Sequence, residues 1–229
     1  MTPTLSQTLL PLTTVTFPEI ALRTRDGHKL RGYFGELFRE HSPMLHNHYE
    51  DGSLRYAYPL VQYKVLRKVP TLVGLQDGAA LLARLFLQMR ELDLDGQRIP
   101  VLSKHIRHEQ VAIGMSDDLH QYRFETLWMA LNQDNYRDYR DRNEADRKAQ
   151  LKRVLTNQIL MVFKDLGLWL EPTDRIMLTL SVQERTTQFK NQTMVAFAGA
   201  FTANVILPDG LGLGKQVARG FGSIERMSD

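Results

Sequence analysis

The chain has 229 residues, 43% of them hydrophobic, with 29 Lys and Arg against 26 Asp and Glu, a formal charge of +3 and a pI near 9.1. That length suits two small domains of about 100 residues each, and so mild a positive balance excludes a polycationic tail, so any nucleic-acid surface must be local. The lack of cysteine excludes disulfides and thiolate metal sites, and no stretch approaches the ~18 apolar residues of a membrane helix, so a cytoplasmic protein without a membrane partner is expected.

The β-rich run from Val15 to Arg23 predicts a first strand. After Gly27, Leu30, Phe34, Leu37 and Phe38 recur at helical spacing and predict a helix. Between that helix and the next strand lies His46-Asn-His-Tyr-Glu-Asp-Gly-Ser-Leu-Arg-Tyr56, running into Tyr58-Pro-Leu-Val-Gln-Tyr-Lys64. His46 and His48, two residues apart on a loop held between regular elements, suit an acid and a base around one phosphodiester. The same residues also fit ordinary loop histidines, a zinc or manganese site completed by a distant carboxylate, or rings that stack on bases without reacting. The other histidines, His28, His41, His105, His108 and His120, form no helical i, i+4 pair, which weakens the metal reading. No Gly-x-Ser-x-Gly elbow supports a serine nucleophile.

Tyr58 to Leu66 and Thr71 to Leu75, split by Pro70, predict two strands, and Gln76 to Leu92 predicts a helix with Leu81, Leu82, Leu85, Phe86 and Met89 on one face. Arg98 to Gly114 predicts a strand or hairpin, and its front, from Arg98 through Lys104 and Arg107 to His108, carries no acid. Such clusters track phosphates and make binding salt-sensitive, although charge also protects strand edges. The order strand, helix, strand, strand, helix, strand is that of a ferredoxin-like domain.

The second half opens with a strand from Tyr122 to Met129, then a helical stretch from Asn132 to Phe163 whose mixed-charge front reads as a solvated face. Leu151, Val154, Leu155, Ile159, Val162 and Phe163 supply its buried stripe. Strands follow at Arg175 to Val182, Thr193 to Leu207 and Gly222 to Glu225. Between the last two, Gly210-Leu-Gly-Leu-Gly-Lys215 and Arg219-Gly-Phe-Gly222 interleave glycines with single cations, which suits a phosphodiester chain as well as a surface turn. The spacing matches neither a dinucleotide fingerprint nor a Walker loop.

Taken together, the terminal glycine segment and the histidine loop leading into Pro59-Leu-Val-Gln-Tyr-Lys64 resemble the CRISPR-repeat-processing endoribonucleases of the RAMP superfamily. The resemblance implies an α+β fold of two tandem ferredoxin-like (RRM-like) domains, here 1–116 with the histidine loop and 117–229 with the glycine-rich loop. It implies cleavage of precursor CRISPR RNA within each repeat without a metal or other cofactor, by 2′-hydroxyl attack, leaving a 5′-hydroxyl and a 2′,3′-cyclic phosphate. His46 and His48 would be the acid-base pair, with Tyr56 assisting at the reacting phosphate. Lys64, Lys104, Arg107, Lys215 and Arg219 would contact phosphates, with Gly214 and Gly220 permitting close backbone approach. The implied partner is CRISPR repeat RNA, with other CRISPR effector subunits and a second copy of the chain as further candidates. A non-catalytic repeat-RNA-binding RAMP subunit is the nearest alternative, and a metal-dependent hydrolase a more distant one.

Overall fold

Strand β1 (Gln7–Thr16) opens the computed structural model, which describes residues 6–37, 58–189 and 192–227. It lies well before the expected Val15–Arg23 strand, because Phe17 and Pro18 end the ladder. The Phe17 amide still donates to Pro70 O at 3.1 Å, but proline has no N–H to carry the pairing on. A 3-10 turn at Thr24–Asp26 leads into α1 (Gly27–Leu37), where Leu30 and Phe34 are fully buried as the spacing predicted. The Phe34 ring stacks on Phe17 and Tyr63 at 6.1 and 5.9 Å.

Strands β2 (Val61–Leu66) and β3 (Val69–Leu75) form a hairpin, with Pro70 paired opposite Val65 inside β3 and not dividing the strands. The turn is Arg67–Lys68, both at positive φ (50° and 71°). Helix α2 (Asp77–Leu85) follows at once and buries Leu81, Leu82 and Leu85. It stops far short of Leu92, which belongs instead to β4 (Glu91–Leu94), paired with β5 (Gln97–Pro100). Leu85, Met89 and Leu92 fit a helical period, but Leu92 and Leu94 also alternate toward Asp95-Gly96, whose φ of 56° and 83° make the hairpin turn.

Strand β6 (His105–Phe124) is a single 20-residue strand where two were expected, with a register shift between Met115 and His120. The expected Asn132–Phe163 helix is two helices, α3 (Gln133–Arg140) and α4 (Glu144–Asp165). Asn143 separates them: its side chain accepts from the Asp146 amide, starting α4 afresh. Leu151, Leu155, Ile159, Val162 and Phe163 are buried along α4. Strands β7 (Leu178–Phe189) and β8 (Gln192–Ile206) make a long hairpin, and β9 (Ile224–Arg226) pairs with β6.

Two compact units result, one of Leu9–Val111 with Val217–Gly220, the other of Met1–Thr8, Ala112–Gln216 and Phe221–Asp229. In the first the order is β2-β3-β1-β6, antiparallel across β2, β3 and β1; in the second the antiparallel order is β7-β8-β6-β9. The first core gathers Val15, Phe17, Leu30, Phe34, Tyr63, Leu72, Leu82 and Leu85. The second is aromatic: Trp128 stacks on Phe124 at 5.2 Å and meets Phe197 at 5.7 Å, and Tyr122 stacks on Phe201 at 5.2 Å.

Candidate nucleic-acid interface

In the first unit, three segments far apart in the chain converge on the backbone of Tyr63 in β2. A Cβ on Gly27, at the start of α1, would stand 3.4 Å from the Tyr63 carbonyl oxygen and 2.8 Å from that of Arg219. A Cβ on Gly220 would stand 3.0 Å from the same Tyr63 oxygen and 3.3 Å from Lys64 Cα, and Gly220 has φ 90°. Glycine is therefore required at both positions, and each allows one backbone to lie directly on another. The close approach expected of Gly220 is made here by the protein's own strand. The Tyr63 ring is fully buried, its hydroxyl has no hydrogen-bond partner, and burial drives its pKa far above the ordinary phenol value.

Arg219 ends the 3-10 turn Val217–Arg219 that follows the glycine run. Burial first, and then the neighbouring Arg31 guanidinium of α1, push its pKa below the ordinary arginine value. Lys64 departs most from a surface phosphate contact: it lies in β2 opposite Thr71 and is wholly buried. Lys104 is partly covered, its ammonium donating to Met89 O at 2.7 Å and standing 4.9 Å from the Phe86 ring centre. Burial and Arg90 lower its pKa. Arg107 lies on exposed β6 and pairs with Glu109 at 2.8 Å.

In the second unit, Lys215 is exposed, and its amide donates to Met129 O at 2.9 Å. Gly214, at φ 95°, sits against Trp128 and Met129: a Cβ would meet Met129 O at 2.8 Å and the indole at 2.9 Å. The indole N–H is itself bound to Gln158 Oε1 at 2.8 Å. Gly214 and the Lys215 backbone are thereby packed on Trp128 and Met129. Among the described residues no group of three His, Asp or Glu side chains could hold a metal ion, and no helix is long and apolar enough to cross a membrane.

His46, His48 and Tyr56 lie outside the described residues. What is described is the frame on either side, α1 ending at Leu37 and β2 starting at Val61, both of which meet the glycine-rich segment at Tyr63. The arginine of this junction that composition and spacing did not single out is Arg31, one turn beyond Gly27; a glycine opening a helix was the available signal.

Comparison with known proteins decides the family. Residues 8–112 match the Cas6b N-terminal domain and residues 114–227 the Cas6b C-terminal domain. The chain belongs to the Cas6b family of CRISPR RNA processing endoribonucleases. A crystal structure of Cas6b superposes with a TM-score of 0.91 at 33% identity, covering 96% of this chain and 100% of that one. A second Cas6b, described as a CRISPR RNA processing endoribonuclease, gives a TM-score of 0.79 at 31% identity, with the same 96% and 100% coverage. An uncharacterized protein of Methanocaldococcus jannaschii is 29% identical over 148 residues, 65% of this chain and 100% of that protein. The two Cas6b domains account for the fold as α+β and span both blocks of the sequence resemblance, the histidine-to-Lys64 segment in the first and the glycine-rich segment in the second.

Proposed function

We propose that this Cas6b chain cuts precursor CRISPR RNA within each repeat by a metal-independent transesterification, in the cytoplasm. One imidazole of the His46 and His48 pair removes the proton of the 2′-hydroxyl, whose oxygen attacks the adjacent phosphorus. The bond from phosphorus to the 5′-oxygen breaks, and the other imidazole, protonated, gives that oxygen its proton. The products are a 2′,3′-cyclic phosphate and a 5′-hydroxyl. RNA supplies its own nucleophile here, so alignment, two proton transfers and charge stabilisation suffice. Tyr56 assists at the phosphate, and Arg107, Lys215 and Arg219 hold the strand by its backbone.

One observation carries this reading: the glycine-rich segment, α1 and β2 meet at Tyr63, so the chain on both sides of the histidine loop is anchored beside Arg219. A ferredoxin-like pair of halves accounts for that arrangement. Each unit orders its strands as second, third, first, fourth, with a helix after the first, and in the second half the glycine loop stands where a second helix would follow the third strand. The testing experiment is cleavage of repeat RNA in excess chelator, with the ends identified. Cyclic-phosphate and 5′-hydroxyl ends are expected, and a single 2′-deoxy nucleotide at the cut should abolish the reaction. Cleavage that chelator stops, or that survives the 2′-deoxy substitution, contradicts it.

A further inference from the structure

Strand β7 leaves one edge of the second unit open. It pairs with β8 in an unbroken register from Leu178 to Phe189, and among the described residues no strand pairs with its other side. Phe197 of β8 exchanges both of its backbone hydrogen bonds with Trp128, each at 2.8 Å, so its N–H and C=O turn away from β7. Glu184, its partner in β7, therefore turns its own N–H and C=O outward, since the two residues of such a pair point apart. At the far end the Asn204 amide donates to Met177 O at 3.3 Å, which sets the same alternation. Leu178, Leu180, Val182, Glu184 and Thr186 thus turn their backbone groups to the open edge, one N–H and one C=O about every 6.8 Å. Proteins commonly blunt such an edge with Lys, Pro or a bulge, and β7 has no Lys, no Pro and no break in register.

Beside β7, and walled by α3 and α4, lies a cavity of about 490 Å³. Leu180 and Val182 of β7, with Leu151 of α4, give it an apolar lining. Most of the charges around it are engaged. Glu184 accepts from the Tyr139 hydroxyl at 3.2 Å, and Arg147 donates to Tyr139 O and Arg140 O at 3.0 and 2.5 Å. Glu144 lies in the first turn of α4, where the helix dipole favours it. Lys148 is exposed and has no side-chain partner among the described residues. We propose that β7 takes an extended segment of another protein as an added strand, which sets an apolar side chain against Leu151, Leu180 and Val182 and an acidic one against Lys148. An edge that alternates N–H and C=O is matched group for group by a polypeptide, whereas the phosphates of an RNA would be repelled by its carbonyls. A second copy of β7 brings one acid, Glu184, which already holds Tyr139 and so leaves Lys148 unpaired. Docking at this edge does not depend on the RNA chemistry proposed above.

The test pans a phage-displayed library of random linear peptides on the full chain and measures the enriched sequences as synthetic, end-blocked peptides. These should alternate apolar with other residues and carry an acid, and their binding should slow amide exchange at Leu180, Val182 and Glu184. Val182→Pro removes one outward N–H and no bond to β8, a change that edge positions tolerate. It should weaken the peptides about 10-fold or more, through the lost hydrogen bond and a ring standing in the path of the added strand. Lys148→Glu, an exposed change on α4 that leaves β7 untouched, should weaken them about 3- to 10-fold. Enriched peptides without the alternation, or peptides that bind both variants as tightly as wild type, overturn the docking edge. A library that enriches nothing overturns it as well. So does exchange at the three amides that slows with repeat RNA or with rising protein concentration and not with peptide, which assigns the edge to RNA or to a second copy.

Discussion

Gly222 shows how the glycines of the terminal segment divide their work. At φ 66°, a Cβ there would stand 1.9 Å from the Leu213 carbonyl oxygen, whereas at Gly32, on the exposed side of α1, a Cβ would meet nothing within 4 Å. Gly222→Ala should therefore cost about 3 kcal/mol or more through strain and collision. Gly32→Ala should stabilise by about 0.5–1 kcal/mol, since helical alanine loses less backbone freedom than glycine. Denaturant titration of the two variants checks both signs, and an equal response at the two sites would contradict the packing argument. The sequence marked Gly214 and Gly220 as places where an RNA backbone would come close. It could not say whose backbone: for Gly27, Gly214 and Gly220 it is the protein's own, supplied by Arg219, Met129 and Tyr63. Such pairs are separated by most of the chain, and no periodicity reports them.

The β2–β3 hairpin is built on a turn whose residues suit it poorly. Arg67 and Lys68 both take positive φ, a conformation that costs an L side chain roughly 1–2 kcal/mol and glycine almost nothing. Lys68 is exposed, so Lys68→Gly should stabilise the chain by about 1 kcal/mol and raise Tm by roughly 2–4 °C. A fall in Tm on scanning calorimetry would contradict the turn. The α1 stripe of Leu30 and Phe34, the α4 stripe from Leu151 to Phe163 and the long β8 strand were legible because each depends on local period alone. The errors fell where two periods coincide or where a cap interrupts. Leu92 continues the α2 spacing yet alternates with Leu94 toward Asp95-Gly96, and Asn143 restarts a helix inside an unbroken polar run. The first strand was expected at Val15 to Arg23, whereas β1 runs Gln7–Thr16, with Leu12 to Thr16 held extended by pairing with β3.

Taken as one chain, the molecule depends on phenols buried in both cores. Burial raises the pKa of Tyr63 and of Tyr122, and Tyr122 also donates to Val205 O at 2.9 Å and accepts from the Leu207 amide at 3.0 Å. The unfolded chain ionises tyrosine near pH ~10 while the folded chain holds the proton longer. The stability from these groups is thus complete below that pH and is lost as pH rises above it. Tyrosinate absorbance and loss of circular dichroism should then rise together, and phenols that ionise near pH ~10 in a chain that stays folded would contradict their burial. The proposed chemistry makes a separate demand on His46 and His48, which lie along the chain between α1 and β2. Its most direct test is the single-turnover rate of repeat cleavage, with saturating protein and chelator, for wild type, His46→Ala, His48→Ala and the double variant. Each single variant should bind RNA as wild type does and cut about 100- to 10,000-fold more slowly, with one limb of a bell-shaped pH profile removed. Cleavage at the wild-type rate by the double variant would contradict the account.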